Sequence, residues 1–399
     1  MFTVRAGAGA ARTGGDEVSG RLIRWVCTAA VAGALLAPVP AGAAPEPGPG
    51  DGGERSVGEL LTDLQRLYQQ AEEATETYNA TADRLKERRK EAESLGGELA
   101  RARGALHGSR AAAGRLARQQ YQGHSEISPY VRLFLSRDPE HAIDQGHVIR
   151  RAAREQEATV DRLVRGERKA DDLATKARAA LDGQMRLADR QKKDRDSVQA
   201  RLKEVEELLA SLSSDQLSAL ARLESAGTAD AQRSFMASGA LSSTGRAPSK
   251  AGDDALAYAV RQIGKPYVWG AEGPKSFDCS GLTSQAWTHA GRTIPRTSQE
   301  QWAQLPRVPL SELRPGDLVV YFPKATHVAM YLGDGMVVQA PRPGARVKVS
   351  PIAANPLLGA VRPDPGAGAM SGYRAPELPS GAMSGGDTGY AAAGAPSAE

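Results

Sequence analysis

The feature that most constrains the fold is a long, charged and almost proline-free stretch, residues 54–226. It contains 31 Lys and Arg against 30 Asp and Glu residues, and its two prolines are Pro129 and Pro139. Apolar residues recur in it every three or four positions, which is typical of amphipathic helices that pair as coiled coils. Charges of both signs are mixed along it, and the whole chain carries a net charge of only +4. This pattern indicates solvated helix faces and argues against nucleic-acid binding.

The helical periodicity breaks once, over residues 123–139, which predicts an antiparallel hairpin with two arms. The first arm, residues 54–122, would be on the order of 100 Å long, and the second would return over residues 140–226. An exposed apolar cluster often marks a contact surface, so the tip is either a docking site for a partner or a cap that packs on itself. The apolar residues at the tip are Val131, Leu133, Phe134 and Leu135.

Residues 1–43 have the order of a signal peptide. Arg21 and Arg24 precede an apolar run over residues 25–36, and residues 41–43 have the small-residue pattern of a cleavage site. The run is about 12 residues long, whereas a membrane-spanning helix needs about 20. We therefore expect the mature protein to be secreted and extracellular or associated with the cell wall.

Export would leave the chain a single cysteine, because Cys27 lies in the apolar run and Cys279 is the other one. An unpaired thiol outside the cell is open to oxidation, so its retention indicates chemistry. Cys279 follows Asp278 at the start of a helical pattern, where amide donors and the helix dipole lower a thiol's pKa. Cys279 is therefore a candidate nucleophile; the alternative is an inert buried thiol.

A histidine base for Cys279 is predicted from the spacing of the strands that follow. His289 lies roughly 15 Å along the same helix and is out of reach. His327 begins an alternating strand pattern that turns at residues 333–335 and returns. With a three-residue turn His327 lies diagonal to Gln339 on one face of the sheet, where Gln339 would orient the imidazole. A two-residue turn would reverse this parity.

Composition divides the rest of the chain. Nine of the 19 aromatic residues fall within residues 253–363, which therefore hold the expected compact core. Residues 227–252 are rich in Gly, Ser and Ala and predict a flexible linker. Residues 364–399 predict a disordered tail.

Five motifs in residues 253–363 resemble, in the same order, those of the NlpC/P60 family of peptidoglycan peptidases. The resemblance covers a little over a quarter of the chain and implies an α+β, papain-like domain, preceded here by the all-α antiparallel coiled-coil hairpin. The motifs are GKPYVWG (264–270), DCSGL (278–282), PRTS (295–298), RPGDL (314–318) and HVAMYLGDG (327–335).

The resemblance implies a cysteine peptidase, specifically a D,L-endopeptidase, that hydrolyses peptidoglycan stem peptides, typically between D-γ-glutamate and the diamino acid. It makes Cys279 the nucleophile, His327 the base and Gln339 the third member, where the family most often has His. A neutral amide orients His327 but does not offset the imidazolium charge, so this departure bears on rate and pH optimum. Tyr267 matches a family tyrosine whose hydroxyl helps to bind the oxyanion; a packed aromatic is the alternative.

The same resemblance suggests that Asp278 and Ser280 hold substrate amine or amide groups, although both residue types also suit helix capping. No cofactor or metal is expected, because no His, Cys and Asp cluster has the spacing of metal ligands. In related actinobacterial and division-associated hydrolases, helical hairpins dock a membrane partner or cover the active site, and the sequence does not choose between these.

Two classes of function stay open at this point. The chain is either an enzyme or a wall-binding scaffold or activator whose hairpin docks a membrane or division protein. An acyltransferase that uses the same Cys and His is a third option.

Overall fold

The computed structural model describes residues 55–122, 131, 139–242 and 245–384, without the side chains of residues 139–142. The expected signal peptide lies outside the described residues, as does the tip cluster apart from the exposed Val131. Within the described part, no helix is long and apolar enough to cross a membrane.

Two long helices form the predicted hairpin. They are α1 (Val57–Gln122) and α2 (Pro139–Ala210). The start of α1 packs on the end of α2 through Leu64 and Val205, whereas Leu106 of α1 packs on Ala170 of α2. This pairing shows that the two helices are antiparallel.

A third helix, α3 (Ser214–Ala237), replaces the end of the expected return arm and the first half of the expected linker. It begins at a capping box, in which Ser213 and Gln216 exchange side-chain hydrogen bonds with each other's backbone N–H groups. Residues 227–237, expected to be a flexible linker, are helical because they pack on the C-terminal domain. Gln232 donates to the Gly335 carbonyl at 3.0 Å and accepts from the Ala353 N–H at 3.1 Å.

The C-terminal domain combines three helices with a six-stranded antiparallel sheet of strand order β1-β6-β2-β3-β4-β5. This confirms the predicted fold class, an all-α hairpin followed by an α+β domain. The helices are α4 (Lys250–Val260), α5 (Cys279–His289) and α6 (Ser298–Gln304). The strands are β1 (Arg307–Val308), β2 (Leu318–Tyr321), β3 (His327–Gly333), β4 (Met336–Gln339), β5 (Lys348–Pro351) and β6 (Leu357–Val361).

Both faces of the sheet are covered, because alternate strand residues point to opposite sides. In β2, Val320 belongs to the core shared with α4 and α5, which also contains Leu256 and Trp287. Its neighbour Val319 belongs to the core on the other face, against which Phe235 of α3 packs. The sheet therefore separates the helix that carries Cys279 from α3.

The described part of the expected disordered tail, residues 364–384, packs on the domain without helices or strands. Asp364 is buried and accepts hydrogen bonds from Ser249 and Arg314. The Ala382 carbonyl accepts from the Val349 N–H at 2.8 Å. These specific polar contacts order a segment whose Gly- and Pro-rich composition suggested disorder.

Candidate active site

Cys279 is the first residue of α5, and its side chain is buried. Asp278 caps this helix by accepting a hydrogen bond from the Gly281 N–H at 2.6 Å. Gly281 allows close packing, because a Cβ at this position would lie 2.2 Å from the Ala271 carbonyl oxygen. The cap and the glycine together fix the thiol at the start of the helix.

His327 and Gln339 are adjacent on the sheet. The pairing of Met330 with Val338 across β3 and β4 places Gln339 diagonal to His327. The turn between the strands has two residues instead of the three expected, but a β-bulge near the end of β3 restores the parity. His327 Nε2 lies 2.6 Å from Gln339 Oε1. Since an amide oxygen accepts, Nε2 carries the hydrogen in the neutral ring and Nδ1 carries the lone pair. Nδ1 is then the atom that can act as a base.

The pKa of Cys279 is raised well above its ordinary value, contrary to the lowering expected at a helix start. Burial is the largest cause, and the nearby carboxylates of Glu76, Asp278 and Glu72 add to it. The Val328 N–H, next to His327 in β3, has the opposite effect but does not compensate. In this arrangement the sulfur is a protonated thiol.

Asp278 and Ser280 share one buried arginine. Arg296 binds Asp278 through two N–H groups, at 2.7 and 3.1 Å, and donates to Ser280 Oγ at 2.8 Å. Its Nε donates to Glu272 at 2.7 Å. Burial lowers the pKa of Arg296, but Asp278 more than compensates, so the guanidinium stays charged. A fixed positive charge therefore lies beside the start of α5.

A side chain from the hairpin occupies the centre of the site. Glu76 of α1 is 1% exposed, and its Oε1 accepts from Ser280 Oγ at 2.7 Å and lies 3.6 Å from Cys279 Sγ. Its Oε2 accepts from the Ser298 N–H at 2.7 Å. Burial and the charge of Asp278 raise the pKa of Glu76 to about 7. The carboxyl group therefore fills the space directly over the candidate nucleophile.

Two neighbours of Glu76 on α1 contact the other candidate residues. Glu72 Oε1 lies 3.3 Å from His327 Nδ1, and Asn79 Nδ2 donates to Asp278 Oδ2 at 3.0 Å. Burial alone would lower the pKa of His327, but the Glu72 carboxylate more than offsets it and the pKa is raised. Helix α1 thus contacts Cys279, His327 and Asp278 at once and covers the candidate active site.

Tyr267 lies in the same buried environment. Its hydroxyl has no hydrogen-bond partner among the described residues. Burial raises the pKa of this phenol well above its usual value, and the nearby Cys279 adds to the effect. The hydroxyl is therefore a protonated donor close to the thiol. No group of three His, Cys, Asp or Glu side chains in the described ranges could hold a metal ion.

Five residues of this site were not singled out by the sequence reasoning. Arg296 and Ser298 belong to the quoted PRTS motif, so the motif itself was the available indication. The other three residues are Glu72, Glu76 and Asn79 of α1. In the sequence they are indistinguishable from the polar face of any charged helix, because Glu and Asn at helical spacing normally face solvent.

Comparisons with known proteins match the C-terminal region. The NlpC/P60 family model matches residues 264–358. A probable endopeptidase of Corynebacterium glutamicum is 50% identical over 95 residues, which cover 24% of this chain and 46% of that protein. Peptidoglycan endopeptidase RipA of Mycolicibacterium smegmatis is 38% identical over 149 residues, which cover 31% of this chain and 30% of RipA. The chain thus spans less than half the length of these curated relatives.

One solved structure is that of RipD from Mycobacterium tuberculosis, described as a non-catalytic NlpC/p60 domain protein with an adaptation to peptidoglycan-binding function. RipD is 31% identical to this chain over the matched region, which covers 29% of this chain and 98% of RipD, with a TM-score of 0.27. The family match spans α5, which carries Cys279, and the strands that carry His327 and Gln339. The C-terminal region of this chain is therefore an NlpC/P60 domain.

Proposed function

We propose that this protein is a cysteine endopeptidase that hydrolyses peptidoglycan stem peptides. The observation that carries the proposal is a cysteine at a helix start that lies at the Val328 N–H, next along β3 to a histidine whose Nε2 is held by Gln339. That hydrogen bond leaves Nδ1 as the proton acceptor, the role a base needs beside a thiol. The names of the relatives, which are endopeptidases, supply the substrate class.

The reaction proceeds in two stages. His327 Nδ1 takes the thiol proton of Cys279, and the thiolate attacks the carbonyl carbon of the substrate amide. The tetrahedral oxyanion accepts a hydrogen bond from Tyr267, and it collapses to a thioester as His327 gives its proton to the leaving amine. Water then loses a proton to His327 and attacks the thioester, which releases the acid and returns the thiol.

The finer features of the function are part of the same proposal. The bond between D-γ-glutamate and the diamino acid is the expected target, by resemblance to the family. Export directed by residues 1–43 would bring the enzyme to the cell wall, where its substrate lies. The hairpin tip would contact a membrane or division protein.

A second candidate is a wall-binding scaffold or activator. The raised pKa of the buried Cys279 favours it, because a covered, protonated thiol does not turn over substrate. The two candidates differ in whether the thiol is needed once α1 is displaced.

The test uses the full chain with Glu76→Lys, which removes the carboxylate from the site, and the same chain with Cys279→Ala added. Both are incubated with purified peptidoglycan, and the products are read by mass spectrometry. We expect the first to release fragments that end in γ-glutamate, and the second to be slower by about 10³-fold or more, because the nucleophile is gone.

Equal release by both chains would exclude cysteine catalysis. Fragments with different ends would support an endopeptidase but exclude cleavage between D-γ-glutamate and the diamino acid. No release from either folded chain would support the scaffold.

A further inference from the structure

The end of the hairpin that lies away from the candidate active site is strongly basic. Residues 101–122 of α1 contain five arginines and no Asp or Glu, and residues 143–169 of α2 contain seven Arg and Lys against five Asp and Glu. Their net charge of +7 exceeds the +4 of the whole chain. We name residues 101–122, 131 and 143–169 the hairpin end. The charge balance over residues 54–226 therefore conceals a basic region at one end.

Most of the arginines that α1 contributes to the hairpin end are free to bind an anion. Four of the five are exposed and, in the part of the chain that the structure describes, have no acidic partner. They are Arg101, Arg103, Arg115 and Arg118. Arg115, Arg118 and Tyr121 follow one another at intervals of three residues, so they lie along one side of the helix. An anion bound there would not have to break an existing ion pair.

The hairpin end also exposes large apolar side chains. Among the described residues 107–122, 131 and 143–169 none is buried, so packing between the two helices does not enclose these side chains. Tyr121 is 87% exposed, Val148 68% and Ile143 60%. Exposed apolar side chains that cluster in one region usually mark a contact surface.

We propose that the hairpin end binds the surface of an anionic lipid bilayer, with the arginines at the headgroup phosphates and the exposed apolar side chains at the boundary with the acyl chains. The partner is the bilayer itself, so the contact needs no protein within it. Lipid binding goes beyond the proposed function, because it uses a surface remote from the catalytic groups and does not require Cys279 to react.

A lipid surface fits both features of the hairpin end, whereas a soluble polyanion fits only the charge. The arginine guanidinium binds phosphate oxygens through paired N–H groups and is weakly hydrated, which suits an interface. Tyrosine rings are typical of the headgroup level, where the ring is apolar and the hydroxyl stays in water. The side chains of Val148 and Ile143 gain from contact with acyl chains but gain nothing from a phosphate polymer in water.

Helix α1 connects the hairpin end to the candidate active site. Asn79, which donates to Asp278, and Tyr121 lie on the order of 60 Å apart along this one helix. Between them, Leu106 packs on Ala170 of α2, so the connection is a pair of helices rather than a loose segment. A hairpin bound through its end would hold the catalytic domain up to this distance from the lipid. The bilayer contact and the catalytic contacts are therefore separable by mutation.

The test is sedimentation of the full chain with large unilamellar vesicles, in the absence of peptidoglycan. One set of vesicles is phosphatidylcholine alone, and the other is equal parts phosphatidylcholine and phosphatidylglycerol. We expect binding to the anionic vesicles to be at least about tenfold tighter and to weaken as salt is added. Equal binding to both sets would overturn the proposal.

The charge is tested with Arg115→Glu and Arg118→Glu together, against a control with Lys86→Glu and Arg89→Glu together. Both pairs are exposed on α1 and three residues apart, so the change of charge is the same, but only the first pair lies in the hairpin end. We expect the first variant to bind anionic vesicles at least about tenfold more weakly than wild type, and the control to differ by less than about twofold. Residues 1–43 are the same in every chain, so they do not contribute to this difference. Equal losses in the two variants would reject the hairpin end as the binding surface.

The apolar contribution is tested with Tyr121→Ser and Val148→Ser together, which leave the charge unchanged. We expect this variant to bind anionic vesicles at least about fivefold more weakly than wild type. Unchanged binding, with a loss only in the arginine variant, would indicate a site for a polyanion and reject the lipid surface. Circular dichroism confirms that each variant keeps the helical content of the wild type, as expected for substitutions at exposed positions.

Discussion

Helix α1 contains two segments with similar charged sequences and opposite surroundings. In residues 68–79, which we name the strap, Glu72 and Glu76 are at most 6% exposed. Further along the helix, the ion pairs Arg88–Glu91 and Lys90–Glu87 lie in solvent, with side chains about half or more exposed. The helical pattern is the same in both, so what differs is the surface that each segment meets.

This difference has an energetic consequence. Exposed ion pairs contribute on the order of 0–1 kcal/mol, because water screens them. Buried charges are expensive unless every one is paired, and removing one partner leaves the other uncompensated. The strap and its site should therefore respond to mutation much more strongly than the distal hairpin.

The largest contrast is expected between Arg296→Ala and Arg110→Ala. Arg296 neutralises the buried Asp278, so its loss should cost roughly 3–5 kcal/mol in the free energy of unfolding. Arg110 makes an exposed pair with Glu167 across the hairpin, so its loss should cost at most about 1 kcal/mol. Urea denaturation of both full-length variants measures the two values. Costs of equal size would mean that the two environments do not differ as described.

A smaller effect is expected from pH. The closed contact raises the pKa of Glu76 from 4.5 to about 7 and raises that of His327 above 6.5. The closed state therefore binds protons that the open state releases. Closure is favoured at low pH and weakens as pH rises through about 7. The charged or titratable groups around Glu76 are Glu72, Tyr267, Asp278, Cys279, Arg296 and His327.

The measurement is the alkylation rate of Cys279 in wild type divided by that in Glu76→Gln, whose residue 76 does not titrate. Between about pH 6 and pH 8.5, we expect this ratio to increase several-fold. Dividing the two rates removes most of the ionisation of the thiol itself. A ratio that stays constant or falls over this range would mean that the closed contact does not take up protons.

The smallest effect is expected from Lys324→Ala. Its partner Glu73 belongs to the strap, but both side chains are largely exposed, as in the distal hairpin. The free energy of unfolding should change by less than about 0.5 kcal/mol, and the alkylation rate by less than about twofold. A large increase in alkylation would show that the rim of the strap, and not only its buried groups, maintains closure.

Local chemistry allowed much of the domain to be predicted. A helix beginning at Cys279 follows from the residue pattern. The parity of His327 and Gln339 agrees with the prediction for a different reason, because the turn is one residue shorter than expected and a β-bulge in β3 compensates. Their catalytic roles remain predictions. The hairpin follows from periodicity and one break. In each case the indication lies within a short segment of the chain.

The features that the sequence did not predict, the buried carboxylate over the site and the helical residues 227–237, depend on long-range contacts. Glu76 and Ser298 are 222 residues apart, and nothing in the spacing around Glu76 distinguishes a buried carboxylate from a solvated one. Residues 227–237 look like a linker by composition, but Gln232 and Phe235 hold them as a helix against the sheet. Such outcomes depend on which surfaces meet, and a single sequence does not encode that locally.

The most direct test of closure is the hydrogen exchange of the Ser298 amide, followed by NMR. In the structure this N–H is bound by Glu76 and by no acceptor within α6. We predict slow exchange in wild type and Glu73→Lys, and exchange at least about tenfold faster in Glu76→Lys. Fast exchange in the wild type, with the other amides of the sheet protected, would show that α1 does not cover the catalytic cysteine.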